Sequence, residues 1–339
     1  MDATNIPSIP DLDEAAQQRA RERQATRVKP AGALGALEPL SVHLAGMTGR
    51  RDWLPERRAV IVFAGDHGVT AHNISTVPQA VTAYMVGQFL AGHAAINVLA
   101  RQMGARVVVV DAGVNADLSH PDLIDGKIAH GTADFTSGPA LTADQTAAAI
   151  RLGRDVVQRE LARGLDILAL GEMGIGNTTP ASAIIAAICG RPVAEVTGRG
   201  TGIDAAQLAH KIALIAAALR LHAPADDQTL MKVGGLEIGA LAGAMIEAAS
   251  QRIPVVIDGL ICTAAALIAQ QLKPEVTRFL IAGHQSAEPG HRIALAHLGL
   301  DPLLDLDMRL GEGTGAVLAL PIIEAAVRTL NEMGALDVG

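Results

Sequence analysis

From residue 58 onward, short apolar runs rich in β-branched residues alternate with longer Ala- and Leu-rich stretches. The short runs fall at 59–64, 106–110, 166–170, 253–257 and 278–282, and only Pro254, near the start of its run, interrupts them. Each is too short for a helix and is predicted as a strand. Between them, 79–103, 142–163, 179–189, 204–221 and 235–250 repeat apolar positions at the 3.6-residue period and are predicted as helices. Uninterrupted apolar strands alternating with helices predict an α/β fold, a parallel sheet covered on both faces. Residues 1–55 differ: a polar, Arg- and Gln-rich helical stretch at 11–28 stops at Lys29-Pro30, and a second short helix is expected over 37–47.

The strands exit into Gly65-Asp66-His67-Gly68, Asp111-Ala112-Gly113, Gly171-Glu172-Met173-Gly174, Asp258-Gly259 and Gly283-His284-Gln285-Ser286. Glycines and ionisable side chains therefore recur at the same end of successive strands. In an open parallel sheet, loops and helix N-termini converge on ligands at that end. A binding site is expected there.

Composition narrows the classes. Among 339 residues, 27 basic against 35 acidic side chains leave a net charge of −8, and the rings number only four Phe, one Trp and one Tyr. No nucleic-acid binding is expected, because it needs a basic face and commonly stacking platforms. Cys189 and Cys262 lie far apart without a CxxC, so neither a zinc site nor a disulfide framework is indicated. The first residues carry no basic and apolar leader, and apolar stretches such as 259–269 are too short to span a bilayer. A cytoplasmic protein without a membrane span is expected.

Three glycine-bearing motifs carry candidate chemistry. In 171–180, glycines after Met173 allow close backbone approach, Asn177, Thr178 or Thr179 can cap a helix, and Pro180 suits its first turn. The free N–H groups of such a helix start suit a phosphate or carboxylate. Gly198-Arg199-Gly200-Thr201-Gly202 precedes a helix carrying Lys211, an arrangement open to a phosphate-facing role or to none. The small residues from Gly234 to Ala244 read better as close helix packing. Within Arg309-Leu310-Gly311-Glu312-Gly313-Thr314-Gly315, a carboxylate stands between glycines before an apolar helix; it fits either a general base or a residue complementing the helix dipole. A weaker reading groups Asp66, His67, Asp111, Asp258, His284, Glu288 and His291 as metal ligands, and a metal-dependent phosphohydrolase using Asp66, Asp111, His284 and His291 is the alternative function. A catalytically silent nucleotide-binding protein is a further one.

The ordered motifs Phe63-Ala64-Gly65-Asp66-His67-Gly68-Val69, Val77-Pro78-Gln79-Ala80-Val81-Thr82, 171–180, Val255-Val256-Ile257-Asp258-Gly259, 283–291 and 309–315, with Lys29-Pro30-Ala31-Gly32-Ala33-Leu34-Gly35 before them, resemble the nicotinate-nucleotide–dimethylbenzimidazole phosphoribosyltransferase family of cobalamin biosynthesis. The match runs from about Lys29 to Met333. The resemblance implies a Rossmann-like sheet (56–314) with a smaller helical part from both chain ends (1–55 plus about 315–339), and a homodimer. It implies transfer of the 5-phosphoribosyl group from nicotinate mononucleotide to 5,6-dimethylbenzimidazole, giving α-ribazole 5′-phosphate and nicotinate, with no cofactor and no metal.

By the same resemblance, Glu312 is the catalytic base and Glu172 a second acid beside it. Gly174, Gly176, Asn177, Thr178 and Thr179 form the nucleotide loop, and Gly200, Lys211, Asp258, Gly259 and Ser286 lie near the ribose or phosphate. Gln79, Met85 and Leu310 wall the base pocket. Residues 70–76 depart from the family's usual form, which leaves the preferred base open among dimethylbenzimidazole, benzimidazole and adenine. Cys262 stands where Ser is common.

Overall fold

Two helices, α1 (Glu14–Ala25) and α2 (Leu37–Thr48), lead into β1 (Arg58–Gly65), whose residues are buried after the first. The computed structural model describes residues 6–224 and 226–336. After β1 the chain forms α3 (Val81–Ala91), α4 (Ala95–Gln102), β2 (Ala105–Gly113), β3 (Leu123–Asp125), α5 (Ala143–Ala162) and β4 (Ile167–Met173). It continues through α6 (Thr178–Cys189), α7 (Val193–Val196), α8 (Ala205–His222), α9 (Thr229–Val233), α10 (Leu236–Ser250), β5 (Val255–Ile257) and α11 (Leu260–Leu272). The last elements are β6 (Leu280–Ala282), β7 (His284–Gln285), α12 (Pro289–Leu298), β8 (Leu304–Asp305) and α13 (Thr314–Glu332).

The expected α/β fold is present. Six strands pair in parallel in the order β3-β2-β1-β4-β5-β6, and β7 pairs with β8 in a small separate ladder. That order is the doubly wound one, with its reversal between β1 and β4. Connections leaving the two strands diverge there, opening a crevice beyond their carboxyl ends.

Side-chain direction assigns the faces. A Cβ at Gly65 or Gly113 would meet Glu237 or Leu236 at the start of α10, whereas one at Gly171 would run into the backbone just before α13. Helix α10 thus lies on one face with α5 packed over it, and α13 covers the other against β4, β5, α2 and α4. Gly153 and Gly243 let α5 and α10 approach backbone to backbone, because a Cβ at either would overlap a carbonyl of the other helix. The small-residue run of α10 serves this packing.

The five predicted strands all form, within a few residues of their expected ends. The edge strand β3 was not predicted; three residues ending in Asp carry no apolar run. The stretch 79–103, predicted as one helix, is two: Gly92 adopts φ 77° and ends α3, and α4 restarts at Ala95. At the chain ends, Ala16 and Ala20 of α1 pack with Ala45 and Leu330. Arg23 donates to the carbonyls of Leu330 (2.9 Å) and Asn331 (2.6 Å), and Arg27 pairs with Ala335 in an antiparallel bridge. Helix α13 therefore begins against the sheet and ends against the N-terminal helices.

Candidate active site

A cavity of about 300 Å³ opens at the carboxyl ends of the central strands. The structure brings to its walls Glu312 and Glu172, the loop residues Gly174, Gly176, Asn177 and Thr178, and also Gly200, Gly259, Ser286, Met85 and Leu310. Ile74 and Ser75, from the 70–76 segment, and Thr201, from the 198–202 motif, line it too, while Leu260 and Ile261 were not singled out from sequence. The apolar side chains of these last two carry no chemical signature, so only the fold reveals them.

Glu312 sits in an unusual backbone. Gly311 (φ 88°), Glu312 (φ 65°) and Gly313 (φ 89°) are three successive left-handed residues. Glycine adopts this region freely, but for glutamate it is strained, and such strain persists where the surroundings hold it. Asp258 supplies part of that hold: Oδ1 accepts from Gly315 N–H (2.7 Å) and Ala316 N–H (3.1 Å), and Oδ2 from Gly313 N–H (3.2 Å). The carboxylate thus satisfies the free donors that open α13.

Gly171 supplies the rest, because a side chain there would overlap the Glu312 and Gly313 backbone. Oε2 of Glu312 accepts from Ile96 N–H in the first turn of α4 at 3.3 Å. Burial raises the carboxyl's pKa, the Ile96 hydrogen bond opposes this, and the charge on Asp258 adds to the rise.

Glu172, one residue before the end of β4, accepts a hydrogen bond from the Asn177 amide through Oε2. Its Oε1 lies against Gly311, where a Cβ would collide with it. Burial pushes its pKa up to about 8; the Asn177 bond opposes the shift, while Glu237, Asp258 and Glu312 add to it. Near neutrality Glu172 is therefore mainly a neutral acid.

The 174–178 part of the cavity wall has a cation behind it. Helix α6 starts at Thr178, with Asn177 as the residue before it. Asn177 makes no side-chain cap to α6, and its amide N–H donates to Glu172; Asn177 N–H and Thr179 N–H bond Gly174 O and Gly176 O, and Pro180 has no N–H, so Thr178 N–H is the donor that this first turn leaves over. Lys211 is fully buried, and Nζ donates to Thr178 Oγ1 at 2.7 Å and weakly to Gly198 O at 3.4 Å. Burial lowers its pKa to about 8 against the opposing pull of Glu288.

Four of the expected site residues stand off the cavity wall. Lys211 reaches it only through Thr178, and Thr179 is buried with Oγ1 unpartnered. Asp258 turns to the α13 backbone. Gln79 borders a neighbouring cavity of about 540 Å³. Its Nε2 donates to His67 O (3.1 Å) and Thr70 Oγ1 (3.0 Å), while Oε1 accepts from Asn115 (2.9 Å).

The candidate metal ligands disperse. Asp66 bonds Thr82 and Asn115, His67 pairs with Glu237, Asp111 with Lys127, and His284 with Asp258, while His291 bonds Ser286 N–H and Thr263. Among the described residues, no three His, Cys, Asp or Glu side chains converge on one point.

A family profile described as phosphoribosyltransferase matches residues 9–338. The nicotinate-nucleotide–dimethylbenzimidazole phosphoribosyltransferase of Chloroflexus aggregans is 56% identical over 332 residues, covering 97% of this chain and 94% of that one. The protein of the same name from Roseiflexus sp. is 54% identical over 97% of this chain and 94% of its own. A crystal structure of CobT from Thermus thermophilus superposes with a TM-score of 0.93 at 44% identity, covering 96% of this chain and 100% of that one. The chain belongs to the nicotinate-nucleotide–dimethylbenzimidazole phosphoribosyltransferase family.

Proposed function

We propose that this enzyme transfers the 5-phosphoribosyl group of nicotinate mononucleotide to 5,6-dimethylbenzimidazole, forming α-ribazole 5′-phosphate and nicotinate for the lower ligand of cobalamin. One observation carries the reading: Glu312, held on Ile96 N–H, lines one cavity with the glycine loop that opens α6, and the buried Lys211 stands behind that loop on Thr178.

The phosphate sits at the start of α6, with Lys211 acting through Thr178, which places C1′ toward Glu312. The free oxygen of Glu312 takes the N–H proton of the benzimidazole as its other ring nitrogen bonds to C1′. The C1′–pyridinium bond breaks, and its electron pair returns to the pyridine nitrogen, so the leaving group needs no proton. Attack from the face opposite the departing ring converts a β-nucleotide into an α-nucleotide. Carboxylates near C1′ stabilise positive charge developing there. Aligning both rings across one carbon contributes up to about 7–11 kcal/mol at the well-oriented limit. Met85 and Leu310 supply apolar wall for the bicyclic ring. Ile74 and Ser75, from the segment that departs from the family's usual form, also line the cavity and bear on which base is preferred.

The same reading extends to a cytoplasmic homodimer that binds neither nucleic acid nor membrane, with 1–55 and about 315–339 as a small helical part. Tyr84, Val98, Leu306 and Leu310 remain more than half exposed, and a subunit interface commonly covers such side chains. Free Cys189 and Cys262 fit a reducing compartment. The apolar stretch Val81–Gln102 is broken at Gly92 into helices of 11 and 8 residues, each shorter than a bilayer span needs. The test of the reaction is to incubate purified protein with both substrates and separate the products. Absence of α-ribazole 5′-phosphate at saturating substrate rejects it.

A further inference from the structure

Asp66 opens the turn after β1, off the cavity wall, and both of its carboxylate oxygens are engaged although the residue is buried. Oδ2 accepts from Asn115 N–H, just past β2, at 2.8 Å. Oδ1 accepts from the Thr82 hydroxyl, in the first turn of α3, at 2.7 Å. That hydroxyl in turn accepts from Ile175 N–H at 3.0 Å, and Thr82 is wholly buried. Ile175 stands between Gly174 and Gly176 in the loop that joins β4 to α6, and it lines the cavity. Two hydrogen bonds thus connect a carboxylate at the end of β1 to a backbone amide at the centre of the glycine loop.

A threonine hydroxyl can rotate to donate or to accept, so by itself it does not fix a neighbouring amide in one way. An ionised carboxylate only accepts. With its proton drawn to Asp66, the hydroxyl presents a lone pair to Ile175 N–H, and each bond polarises the other. Burying a carboxylate is costly, and a hydroxyl alone would pair the amide; what the carboxylate adds is direction. The loop's own bonds, Asn177 N–H to Gly174 O (3.1 Å) and Thr179 N–H to Gly176 O (2.9 Å), start from the residues on either side of Ile175. We infer that Asp66 and Thr82 are positioning residues for the nucleotide: without touching it, they hold the 174–178 loop through the Ile175 amide in the shape that receives it. This role rests on the reaction proposed above, and it gives the Gly65-Asp66-His67-Gly68 exit a use other than metal binding.

The test measures KM for nicotinate mononucleotide and for 5,6-dimethylbenzimidazole in wild type, Thr82→Val, Thr82→Ser and Asp66→Asn. Thr82→Val keeps the shape but leaves Ile175 N–H unpaired; its nucleotide KM should rise about 5- to 100-fold, the range for stranding a buried donor, with the base KM within about 3-fold. Thr82→Ser retains the hydroxyl and should stay within about 3-fold of wild type. Asp66→Asn can offer only its oxygen to Asn115 N–H, so its amide faces Thr82 and the hydroxyl proton loses its acceptor; it should shift the nucleotide KM in the same direction as Thr82→Val. The double variant of Thr82→Val and Asp66→Asn should lie within about 3-fold of the weaker single one, because both act through one chain of bonds. Three results overturn the assignment: nucleotide KM unchanged in Thr82→Val, Thr82→Ser as impaired as Thr82→Val, or both KM values rising together, as in a general loosening. Equilibrium binding of nicotinate mononucleotide reads the same order without turnover. Proteins that bind in this order yet form no α-ribazole 5′-phosphate would fail the proposed reaction and keep the positioning role.

Discussion

The carboxylate of Glu312 and the backbone N–H of Ile96 meet at 3.3 Å, although 216 positions separate them in the chain. The bond engages one carboxylate oxygen at the start of α4 and leaves the other for chemistry. It also sets the ionised form of Glu312 at the positive end of a helix, opposing the rise in pKa that burial imposes.

Glu312→Gln keeps the side-chain shape and the Ile96 bond but cannot take a proton. Turnover should fall by at least ~100-fold, the lower range for a general base. Because burial raises the pKa of Glu312, the acid limb of kcat/KM should lie above the ordinary glutamate value of 4.5. A steady-state pH profile checks both, and a variant as fast as wild type removes Glu312 from the mechanism.

Glu172 affects stability with a definite sign. Its carboxyl titrates near 4.5 when unfolded and at about 8 when folded. Between those values the folded state keeps a proton that the unfolded state has released, so rising pH erodes stability. Glu172→Gln lacks this loss, so its Tm advantage over wild type should grow from pH 5 to pH 8 and then level off. Parallel melting curves that keep a constant gap across that range would contradict the raised pKa.

Lys211→Met removes the cation behind Thr178 while keeping its apolar stem. The KM for nicotinate mononucleotide should rise about 10- to 100-fold, the range for losing a hydrogen bond to a charged group, with kcat less affected. Since burial lowers the lysine to about 8, wild-type KM should climb above that pH as the ammonium deprotonates, whereas that of the variant should stay flat. Initial rates at pH 7 and pH 9 separate the two.

Gly171→Ala places a methyl group against the Glu312 and Gly313 backbone. Overpacking should cost about 1–3 kcal/mol in denaturant unfolding. Displacement of the base should lower kcat by more than ~10-fold even where the protein is folded, because a misplacement of about 1 Å can cost 10²-fold. Unchanged kcat in a destabilised variant would make this contact structural only.

Much of this was legible beforehand, because central parallel strands are apolar on both faces and their glycine-bearing exits stand out. The break at Gly92 was not. One glycine in an apolar run reads as helix interior, yet that break creates the helix start that meets Glu312. The left-handed φ of Glu312 was equally hidden, since glutamate gives no local sign of it; only the flanking glycines hinted at the turn. Gln79 was assigned to the base pocket, and the structure places it on the wall of the adjoining cavity, bonded to His67, Thr70 and Asn115, contacts that no local pattern announces. Asp258 was placed near the sugar or phosphate, but the bare amides of α13 claim it. Local pattern located the loops, and long-range packing decided where each side chain turned.

The position of α13 at the end of the chain sets an order of synthesis. All six strands of the main sheet are complete by residue 282, whereas Glu312 and the helix behind it come last. A chain growing from its N-terminus therefore acquires its phosphate cradle long before its base. A product truncated shortly after β8 would retain the strands yet leave one face uncovered, so incomplete translation should yield an inert, aggregation-prone fragment rather than a partially active enzyme.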